Sequence, residues 1–497
     1  WLFLLANNKS NIQKMELELG YEKGLQLHIE KERAAVKLQS KVGELLYEKG
    51  IELVLFRHHL TDITISEIIK LHDYSRKVGS NTIDVFTTSE LASKLLTLNV
   101  IPSKLDIGKL AKEWNDEKSS FSNQNEFLMK KLSVLEENQD QPVEPRDVIL
   151  YGFGRIGRLA ARELIKQAGK GQQLRLRAIV TRSSKDADII KRASLLRNDS
   201  VHGAFKGSVI EDLENKTLII NGQIVHMISA NAPEDIDYTS YGISNALVID
   251  NTGVFTNREA LARHLSAKGT SKVLLTAPGK EIPNIVYGIN QGELDIENEN
   301  IYSAASCTTN AISPILKLMS DEFGIEKGHI ETVHAYTNDQ NLLDNMHKKS
   351  RRGRSAAINM VITSTGAGNA VTKVIPELKD KLTANAVRVP TPNGSLAIIS
   401  LELNKKTTVE EVNKVVHNEA LNGNLVNQIY YSLDGELVSN DIIGNTCCAV
   451  FDSEATLSSK DGKSIVLYTW YDNEYGYTKQ VIRLAKYITK VRRAIYY

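Results

Sequence analysis

The sequence has little cysteine: three residues in 497, of which Cys447 and Cys448 are adjacent. Three thiols, two of them neighbours, cannot form the disulfide framework that stabilises many small secreted domains. A reducing, cytoplasmic setting is therefore expected, and a disulfide framework is excluded.

Net charge and long apolar runs are also lacking. The chain carries 61 basic and 60 acidic residues, a formal net charge of +1, so no overall field indicates binding to nucleic acid or to a membrane surface. The apolar run Trp1–Leu5 is too short to span a bilayer, and neither a basic flank nor a small-residue cleavage site accompanies it. No metal site is predicted, and the length suffices for two or three domains.

Residues 1–140 predict a helical N-terminal extension. The segment Ile12 to Tyr47 is rich in Glu, Lys and Leu with apolar residues at helical spacing, and Ser66 and Ser89 are typical of helix starts. The polar stretch 138–145 contains two prolines and predicts a linker. The extension carries no catalytic cluster, so its role and any protein partner stay open.

From Arg146 onward the pattern is that of an α/β protein. A short apolar strand at 147–151 precedes Gly152, Gly154 and Gly157, and a helix-like segment follows. This G-x-G-x-x-G spacing between strand and helix is typical of a dinucleotide-binding turn. Its first glycine permits the tight turn, its second admits the pyrophosphate, and its third allows close helix packing. A glycine-rich turn without a ligand is the alternative.

The second strand of this domain, 174–182, bears on cofactor choice. An NAD-selective strand ends in an acidic residue that binds the ribose hydroxyls. Here the strand ends in Thr181 and Arg182, followed by Ser183 and Ser184. An arginine with two hydroxyls suits a 2′-phosphate. Use of NADP, alone or beside NAD, is therefore a hypothesis, and a surface arginine at a strand end is the alternative.

The segment Ser306–Asn310 places Cys307 among hydroxyls, just before an apolar, helix-like run. A helix N-terminus lowers a thiol pKa, and its N–H groups can bind an oxyanion or a phosphate. Pro314 lies seven residues after Cys307, so a helix that begins there must accommodate a kink. Taken alone, the segment is equally compatible with a buried thiol beside a helix cap.

Five segments together carry a family resemblance. In chain order they are Gly152–Arg158, Ser303–Pro314, Thr332–Gln340, Arg388–Asn393 and Trp470–Tyr477. The chain resembles the glyceraldehyde-3-phosphate dehydrogenase family from about Val148 to Ile488, whereas the N-terminal extension lies outside the resemblance.

The resemblance implies an α/β architecture. It consists of a Rossmann-type doubly wound NAD(P)-binding domain (146–306) and an α+β catalytic domain with a large mixed or antiparallel sheet (307–470). A C-terminal helix (474–490) is expected to pack back on the first domain, and an all-helical module (1–140) precedes both. The resemblance also implies a homotetramer, which the extension could alter.

The resemblance implies a covalent mechanism at Cys307 and His334. Cys307 would attack an aldehyde to give a thiohemiacetal, and hydride transfer to the nicotinamide would leave a thioester that inorganic phosphate cleaves. His334 would activate the thiol and act as acid and base on the substrate oxygen.

Ligand residues follow from the same comparison of motifs. The expected dinucleotide site comprises Gly152, Gly154, Arg155, Ile156, Gly157, Arg182, Thr252, Gly253, Asn473 and Tyr477, with Asn473 on the nicotinamide carboxamide. The expected substrate-phosphate site comprises Thr337, Asp339 and Arg388, with Asp339 in an orienting role. The expected attacking-phosphate site comprises Ser306, Thr308, Arg352, Thr365 and Gly366. Arg351 is the alternative to Arg352.

Three positions depart from the family pattern. Tyr151 replaces the usual Asn before the first glycine, and Ala311 stands where many relatives have a second cysteine. Met346 stands where NAD-selective bacterial relatives have a proline that helps to crowd out a 2′-phosphate. Met346 therefore supports the same NADP hypothesis as Arg182.

The predicted function is that of a phosphorylating glyceraldehyde-3-phosphate dehydrogenase in glycolysis or gluconeogenesis, with no direction of flux implied. Its expected partners are glyceraldehyde 3-phosphate, inorganic phosphate, NAD or NADP, and further copies of the chain, with no nucleic acid and no membrane. The alternatives are an erythrose-4-phosphate dehydrogenase and a scaffold protein that acts through its helical extension.

Overall fold

The computed structural model describes residues 20–78, 83–137, 144–167, 169–363 and 365–497. The chain forms two compact units. The N-terminal unit comprises Trp1–Glu144, Ala168–Gln172 and Arg493–Tyr497, and the catalytic unit comprises Pro145–Gln167 and Gln173–Arg492. Trp1–Leu5, the start of the first predicted helix, and residues 138–143 of the predicted linker lie outside the described residues.

Helices make up most of the N-terminal unit, as predicted. They are Gly20–Glu44, Ile65–Val78, Val85–Leu95, Ile107–Glu117 and Gln124–Glu137, with single turns at Leu45–Lys49 and Lys118–Ser120. Asp84 caps one helix by accepting a hydrogen bond from Thr87 N at 2.8 Å. Their apolar faces enclose one core, which includes Leu38, Leu91 and Phe127.

The N-terminal unit is not all-helical, and that part of the prediction is wrong. It contains a four-stranded sheet. In order across the sheet, the strands are His58–His59, Glu52–Leu55, Ser103–Asp106 and Ala494–Tyr496. None exceeds four residues, which is too short for a period-of-two pattern to be distinguished from a helical one.

The last strand comes from the far end of the chain. Ala494–Tyr496 pairs in parallel with Ser103–Asp106. Beside it the buried Arg493 donates from Nε to the carbonyl oxygen of Gly171 at 3.1 Å. The guanidinium of Arg57 lies 4.3 Å from the centre of the Tyr497 ring. The C-terminal residues are therefore an integral part of the N-terminal unit.

The first sheet of the catalytic unit is doubly wound. In order, its strands are Ile301–Ser303, Thr270–Leu275, Ala246–Asp250, Arg146–Tyr151, Leu174–Thr181, Gln223–Ser229, Thr217–Ile220 and Val209–Asp212. The first six are mutually parallel and the last two are antiparallel additions. Its helices are Arg155–Ile165, Asp186–Arg197 and Arg258–Leu265. The central strands are almost continuously apolar and buried because helices cover parallel sheets on both faces.

The second sheet is mixed. In order, its strands are Val361–Thr363, Leu382–Val389, Ile325–Ala335, Ser395–Leu403, Ser464–Tyr471, Ala449–Asp452 and Ile429–Ser432, with Leu457–Ser458 paired to Ser464–Tyr471. Its helices are Cys307–Phe323, Ala367–Val374 and Val409–Asn422, and the last helix of the catalytic unit is Tyr475–Ile488. Together the two sheets confirm the predicted fold class.

A short two-stranded ribbon joins Asn198–Asp199 to Gly203–Ala204 in the catalytic unit. Tyr475–Ile488 lies against Arg155–Ile165, where Tyr475 Oη and Lys479 Nζ donate to the buried carboxylate of Glu163 at 2.8 and 2.7 Å. Within the described part of the chain, no helix is long and apolar enough to cross a membrane.

Deleting residues 493–497 is expected to loosen the N-terminal unit, because Ser103–Asp106 then loses its outer neighbour. We expect amide hydrogen exchange in Ser103–Asp106 to accelerate at least about tenfold. The strand Leu174–Thr181 of the catalytic unit serves as the internal control and should be unaffected. Unchanged protection of Ser103–Asp106 would contradict a structural role for the C-terminal residues.

Candidate active site

The centre of the candidate site is the pair Cys307 and His334. Cys307 is the first residue of the helix Cys307–Phe323, and His334 lies near the end of the strand Ile325–Ala335. The two side chains meet with Sγ 3.6 Å from Nε2. A thiol and a ring nitrogen at this separation are placed for proton transfer.

The other ring nitrogen fixes the tautomer of His334. Its Nδ1 lies 2.6 Å from the carbonyl oxygen of Ala335. Two lone pairs do not approach so closely, so Nδ1 carries the proton and donates to that oxygen. Nε2 therefore presents its lone pair to Cys307, which is the arrangement that a base requires.

Burial acts against the charged form of both members of the pair. Burial raises the pKa of the Cys307 thiol, and the positive charge of Arg388 offsets this only in part. Burial, followed by the charge of Arg388, lowers the pKa of His334 to about 3. Burial thus disfavours a thiolate at Cys307, and burial together with Arg388 disfavours an imidazolium at His334.

The helix begins at Cys307 and continues through Pro314. Proline has no N–H, so the carbonyl oxygen of Asn310 loses its donor within the helix. The thiol of Cys448 donates to that oxygen with Sγ 3.1 Å away. A buried cysteine from another strand region thereby satisfies the acceptor that the proline leaves open.

The loop before Cys307 is strained. Ala305 has φ of 55°, a left-handed conformation that costs free energy for a residue with a side chain. Tyr477 holds the loop by donating from Oη to the carbonyl oxygen of Ala305 at 2.9 Å. Asn310 Nδ2 donates to Ala304 O and Ser306 O at 2.8 and 2.9 Å. Tyr477, predicted as a cofactor residue, therefore contacts the nucleophile loop.

Arg388 reaches the pair through strand register. Leu382–Val389 and Ile325–Ala335 are parallel neighbours with Arg388 opposite His334. Arg388 Nη1 donates to Ala335 O at 2.9 Å and lies 3.1 Å from His334 Nδ1 and 3.5 Å from Thr337 Oγ1. Its buried Nε has no acceptor among the described residues. Arg388 thus has donor capacity that an anion can use.

A second arginine adds positive charge. Arg352 is buried, donates from Nε to Thr363 Oγ1 at 3.2 Å, and is paired with the exposed carboxylate of Asp339. Its charge acts on both Arg388 and His334. Arg351, the alternative from the sequence, is exposed. Two guanidinium groups and one close carboxylate leave a net positive charge, which favours an anion.

The remaining phosphate candidates have defined local roles. Ser306 is the helix N-cap and accepts from Thr309 N at 3.0 Å. Thr308 is buried with Oγ1 3.0 Å from Tyr471 Oη. Thr365 and Gly366 directly precede the helix Ala367–Val374. Their assignment to an attacking-phosphate site stays a prediction.

The dinucleotide-binding turn has the geometry that its glycines predict. Gly152 has φ of 92°. A Cβ at Gly157 would lie 2.5 Å from the Gly152 carbonyl oxygen, whereas one at Gly154 would meet nothing within 4 Å. The helix Arg155–Ile165 starts at this open position. An exposed helix N-terminus over a glycine turn fits a pyrophosphate.

The two residues after Gly154 differ in their surroundings. Arg155 donates to Glu474 Oε2 at 2.6 Å and to Asp199 Oδ1 at 3.3 Å, so its guanidinium is occupied by carboxylates. Ile156 is half-buried in the first helical turn. Arg155 therefore connects the glycine turn to the Trp470–Tyr477 segment, a link that the sequence motifs do not show.

Two further predicted cofactor positions lie at strand ends. Asp250 is buried, is paired with His264 at 2.9 Å, and accepts from Thr252 N and Oγ1 at 2.7 Å each. The following Gly253 has φ of 67°. Arg182 is exposed just after the strand Leu174–Thr181. Met346 is 92% exposed, so it does not fill space in this chain.

Asn473 lies at the other end of the site. It is buried, and its Oδ1 accepts from Ser395 Oγ at 2.9 Å. Ser395 Oγ in turn accepts from Ala335 N at 3.1 Å, next to His334. The amide oxygen of Asn473 is thus fixed by the same strand pair that positions the candidate base.

Sequence reasoning missed three supporting residues: Tyr471, Ser395 and Cys448. Tyr471 Oη lies 3.0 Å from Thr308 Oγ1 and 3.4 Å from Thr332 Oγ1, and its ring packs edge-on to His334. Tyr471 lies within the Trp470–Tyr477 segment, so the family motif could have identified it. No motif includes Ser395 or Cys448, because only the folded sheet brings them to the site. Among the described residues, no group of three or more potential ligands could hold a metal ion.

Comparison with known proteins places these features in a family. Residues 146–258 match the profile "Glyceraldehyde 3-phosphate dehydrogenase, NAD binding domain", and residues 306–473 match its C-terminal domain. A glyceraldehyde-3-phosphate dehydrogenase-like protein of Pseudomonas aeruginosa is 46% identical over 446 residues, 89% of this chain and 96% of the relative.

Shorter relatives are similar only to part of the chain. The glyceraldehyde-3-phosphate dehydrogenase of Priestia megaterium is 41% identical over 340 residues, 68% of this chain and 97% of the relative. Glyceraldehyde-3-phosphate dehydrogenase 1 of Bacillus subtilis is 41% identical over 342 residues, 69% and 97% respectively. The likeness to the Pseudomonas protein is longer than the chain from residue 145 onward, so it extends into the N-terminal unit.

Iodoacetamide is expected to modify Cys307 alone in the native protein. Cys307 is half-buried, whereas Cys447 and Cys448 are buried, and burial raises the thiol pKa of Cys447 to about 11. His334→Gln should slow the reaction by about tenfold or more, because the base that accepts the thiol proton is lost. Peptide mass spectrometry measures both effects. The exposed His329→Gln is the control, and equal rates for the two variants would contradict the role of His334.

Proposed function

Because the chain belongs to the glyceraldehyde-3-phosphate dehydrogenase family, we propose that it is the phosphorylating enzyme. It would oxidise glyceraldehyde 3-phosphate with a nicotinamide dinucleotide and inorganic phosphate to 1,3-bisphosphoglycerate. The observation that supports this most directly is the contact of 3.6 Å between Cys307 Sγ and His334 Nε2 beside Arg388.

In the proposed reaction the Cys307 sulfur attacks the aldehyde carbon while His334 Nε2 accepts the thiol proton. The resulting imidazolium can return that proton to the substrate oxygen, and the neutral imidazole can take it back when the oxidation occurs. The bound dinucleotide supplies the hydride acceptor. Oxidation leaves a thioester on Cys307, and attack by phosphate releases the acyl phosphate and regenerates the thiolate.

Arg388 couples substrate binding to base strength. Its guanidinium lies 3.1 Å from His334 Nδ1 and helps to lower the pKa of His334. A bound phosphate on Arg388 would neutralise that charge, so the pKa of His334 would rise toward a value useful for a base. Proton transfer from Cys307 to His334 would thus become easier when an anionic substrate binds.

The glycine turn fits the dinucleotide. Gly154 leaves open space at the start of the helix Arg155–Ile165, where backbone N–H groups can receive the pyrophosphate. Thr252 and Gly253 would line the site, and Asn473 would donate from Nδ2 to the nicotinamide carboxamide. NADP acceptance rests on the exposed Arg182 and on Met346, where no proline restricts a 2′-phosphate.

Assembly into a homotetramer is part of the proposal. Apolar side chains that are more than half exposed cluster in one segment of the catalytic unit: Leu342, Leu343, Met346, Ile358, Met360 and Ile362. Exposed apolar groups at this density are typical of a protein interface.

A cytoplasmic location stays a prediction that rests on three cysteines without a disulfide.

The closest alternative activity is that of an erythrose-4-phosphate dehydrogenase. It requires the same nucleophile and base but no attacking phosphate. The buried Arg352 beside Arg388 favours the phosphorylating reaction, because two guanidinium groups can serve two phosphates. The scaffold alternative has no observation in its favour beyond the presence of the N-terminal unit.

Omitting phosphate should convert steady turnover of glyceraldehyde 3-phosphate into a single burst of about one reduced dinucleotide per subunit, because the thioester accumulates.

Arg352→Ala should raise the Michaelis constant for phosphate about tenfold or more, whereas the exposed Arg351→Ala should leave it unchanged. Stopped-flow absorbance of the reduced dinucleotide measures both. Turnover that is independent of phosphate, or faster with erythrose 4-phosphate, would refute the proposal.

Arg182→Asp should shift selectivity from NADP toward NAD. A carboxylate repels the 2′-phosphate and binds the ribose hydroxyls instead. The ratio of kcat/KM for NADP to that for NAD should fall by about a hundredfold, and Lys191→Asp, at an exposed position in the helix Asp186–Arg197, is the control. A wild-type enzyme with no NADP activity would show that the inference from Arg182 and Met346 is wrong.

A further inference from the structure

A buried cluster of carboxylates surrounds His202, outside the residues that the mechanism uses. His202 Nε2 lies 3.1 Å from Asp472 Oδ2, and Nδ1 lies 3.5 Å from Asp199 Oδ1 and 3.6 Å from Glu474 Oε2. The imidazole is only 5% exposed. Both ring nitrogens thus face carboxylate oxygens, which is the environment of a doubly protonated ring.

Other groups complete the surroundings of His202. Arg155 binds Asp199 and Glu474, and the amide nitrogen of Asn393 lies 3.3 Å from His202 Nε2. Arg158 lies 3.9 Å from Asp199, and the Tyr475 ring lies 6.0 Å from the imidazole, centre to centre. With His202 protonated, three cations balance three carboxylates; with His202 neutral, the cluster holds one excess negative charge.

Asp472 connects this cluster to the neighbouring backbone through hydrogen bonds. Its Oδ1 accepts from Glu474 N and Tyr475 N at 2.9 and 2.8 Å and from Asn393 Nδ2 at 2.8 Å. Its Oδ2 accepts from Gly444 N at 2.8 Å and from His202. One fully buried carboxylate therefore fixes the turn that carries Asn473 at its centre.

We propose that His202 is a positioning residue: in its protonated form it holds Asp472, and through the turn 472–475 it fixes Asn473 for the dinucleotide. This inference rests on the proposed function for the role of Asn473. Loss of the proton from Nδ1, which has no hydrogen-bond partner among the described residues, turns a lone pair toward Asp199 and Glu474 and removes the positive charge from the donor that binds Asp472. Dinucleotide binding therefore weakens as His202 deprotonates.

The direction of the pH dependence follows from the surroundings. Burial opposes the charged form, but Asp472, Glu474 and Asp199 outweigh it and raise the pKa of His202 above its ordinary value. A raised pKa means that the stabilisation is complete below the ordinary histidine pKa and is lost as the pH rises through the raised value. The turn 472–475 is accordingly best ordered at pH values below the raised pKa of His202.

The test measures the dissociation constant of NAD+ for the full-length protein by titration calorimetry between about pH 6 and about pH 9. We expect the wild-type constant to rise about tenfold across this range, the loss of one charge-assisted hydrogen bond. His202→Gln should bind weakly and with little pH dependence. His28→Gln, at an exposed position in the helix Gly20–Glu44, is the matched control and should retain the wild-type profile.

A second readout does not require the dinucleotide. Hydrogen exchange of the unliganded protein in the peptide 470–478 should be faster in His202→Gln than in wild type at the same pH. Asp199→Asn, which keeps the acceptor oxygen but removes one negative charge, should move the pH midpoint of NAD+ binding downward. This variant keeps the inference falsifiable if His202→Gln fails to fold.

The outcomes separate the two claims. NAD+ binding with a pH profile that His202→Gln leaves intact, or unchanged exchange in 470–478, overturns the inference and leaves the proposed function standing. A wild-type protein that binds neither NAD+ nor NADP at any pH overturns the proposed function, and the assignment of His202 to dinucleotide binding fails with it.

Discussion

The candidate site depends on one alignment: the first turn of the helix Cys307–Phe323 against the end of the strand Ile325–Ala335. This alignment brings Cys307 Sγ to 3.6 Å from His334 Nε2. Neighbouring side chains hold the segment that carries Cys307. Tyr477 and Asn310 hold the strained loop before the thiol, and the thiol of Cys448 occupies the carbonyl that Pro314 leaves without a donor. Preorganisation of this kind removes the need to rearrange the site when a substrate binds.

Burial and the charge of Arg388 shift the pKa values of both members of the Cys307–His334 pair. The helix N-terminus favours a thiolate, but burial raises the pKa of Cys307 despite Arg388, and the same arginine disfavours an imidazolium at His334. The guanidinium of Arg388, whose buried Nε has no acceptor among the described residues, therefore opposes an imidazolium while it keeps donor capacity for an anion.

The sequence predicts most accurately those features that depend on residues close together in the chain. The turn at Gly152–Gly157 follows from backbone geometry that only glycine adopts, and the helix at Cys307 follows from its hydroxyl cap at Ser306. Contacts made by the folded sheets could not be predicted. Asp339 and Arg352, expected in separate phosphate sites, are paired with each other, and Arg155 binds Glu474 across more than 300 residues of sequence. No local pattern encodes either pairing.

The sheet of the N-terminal unit shows the same limit and changes how the extension is understood. Its fourth strand, Ala494–Tyr496, follows the catalytic unit in sequence, and Gly171, which Arg493 contacts, lies between the two segments that form that unit. Removal of residues 1–140 would expose the unpaired edge of this strand, and exposed edges promote association. Such a truncation cannot separate an interaction role from a structural one. Because the likeness to the Pseudomonas relative includes part of this unit, substitutions on its surface, rather than its removal, are the informative perturbation.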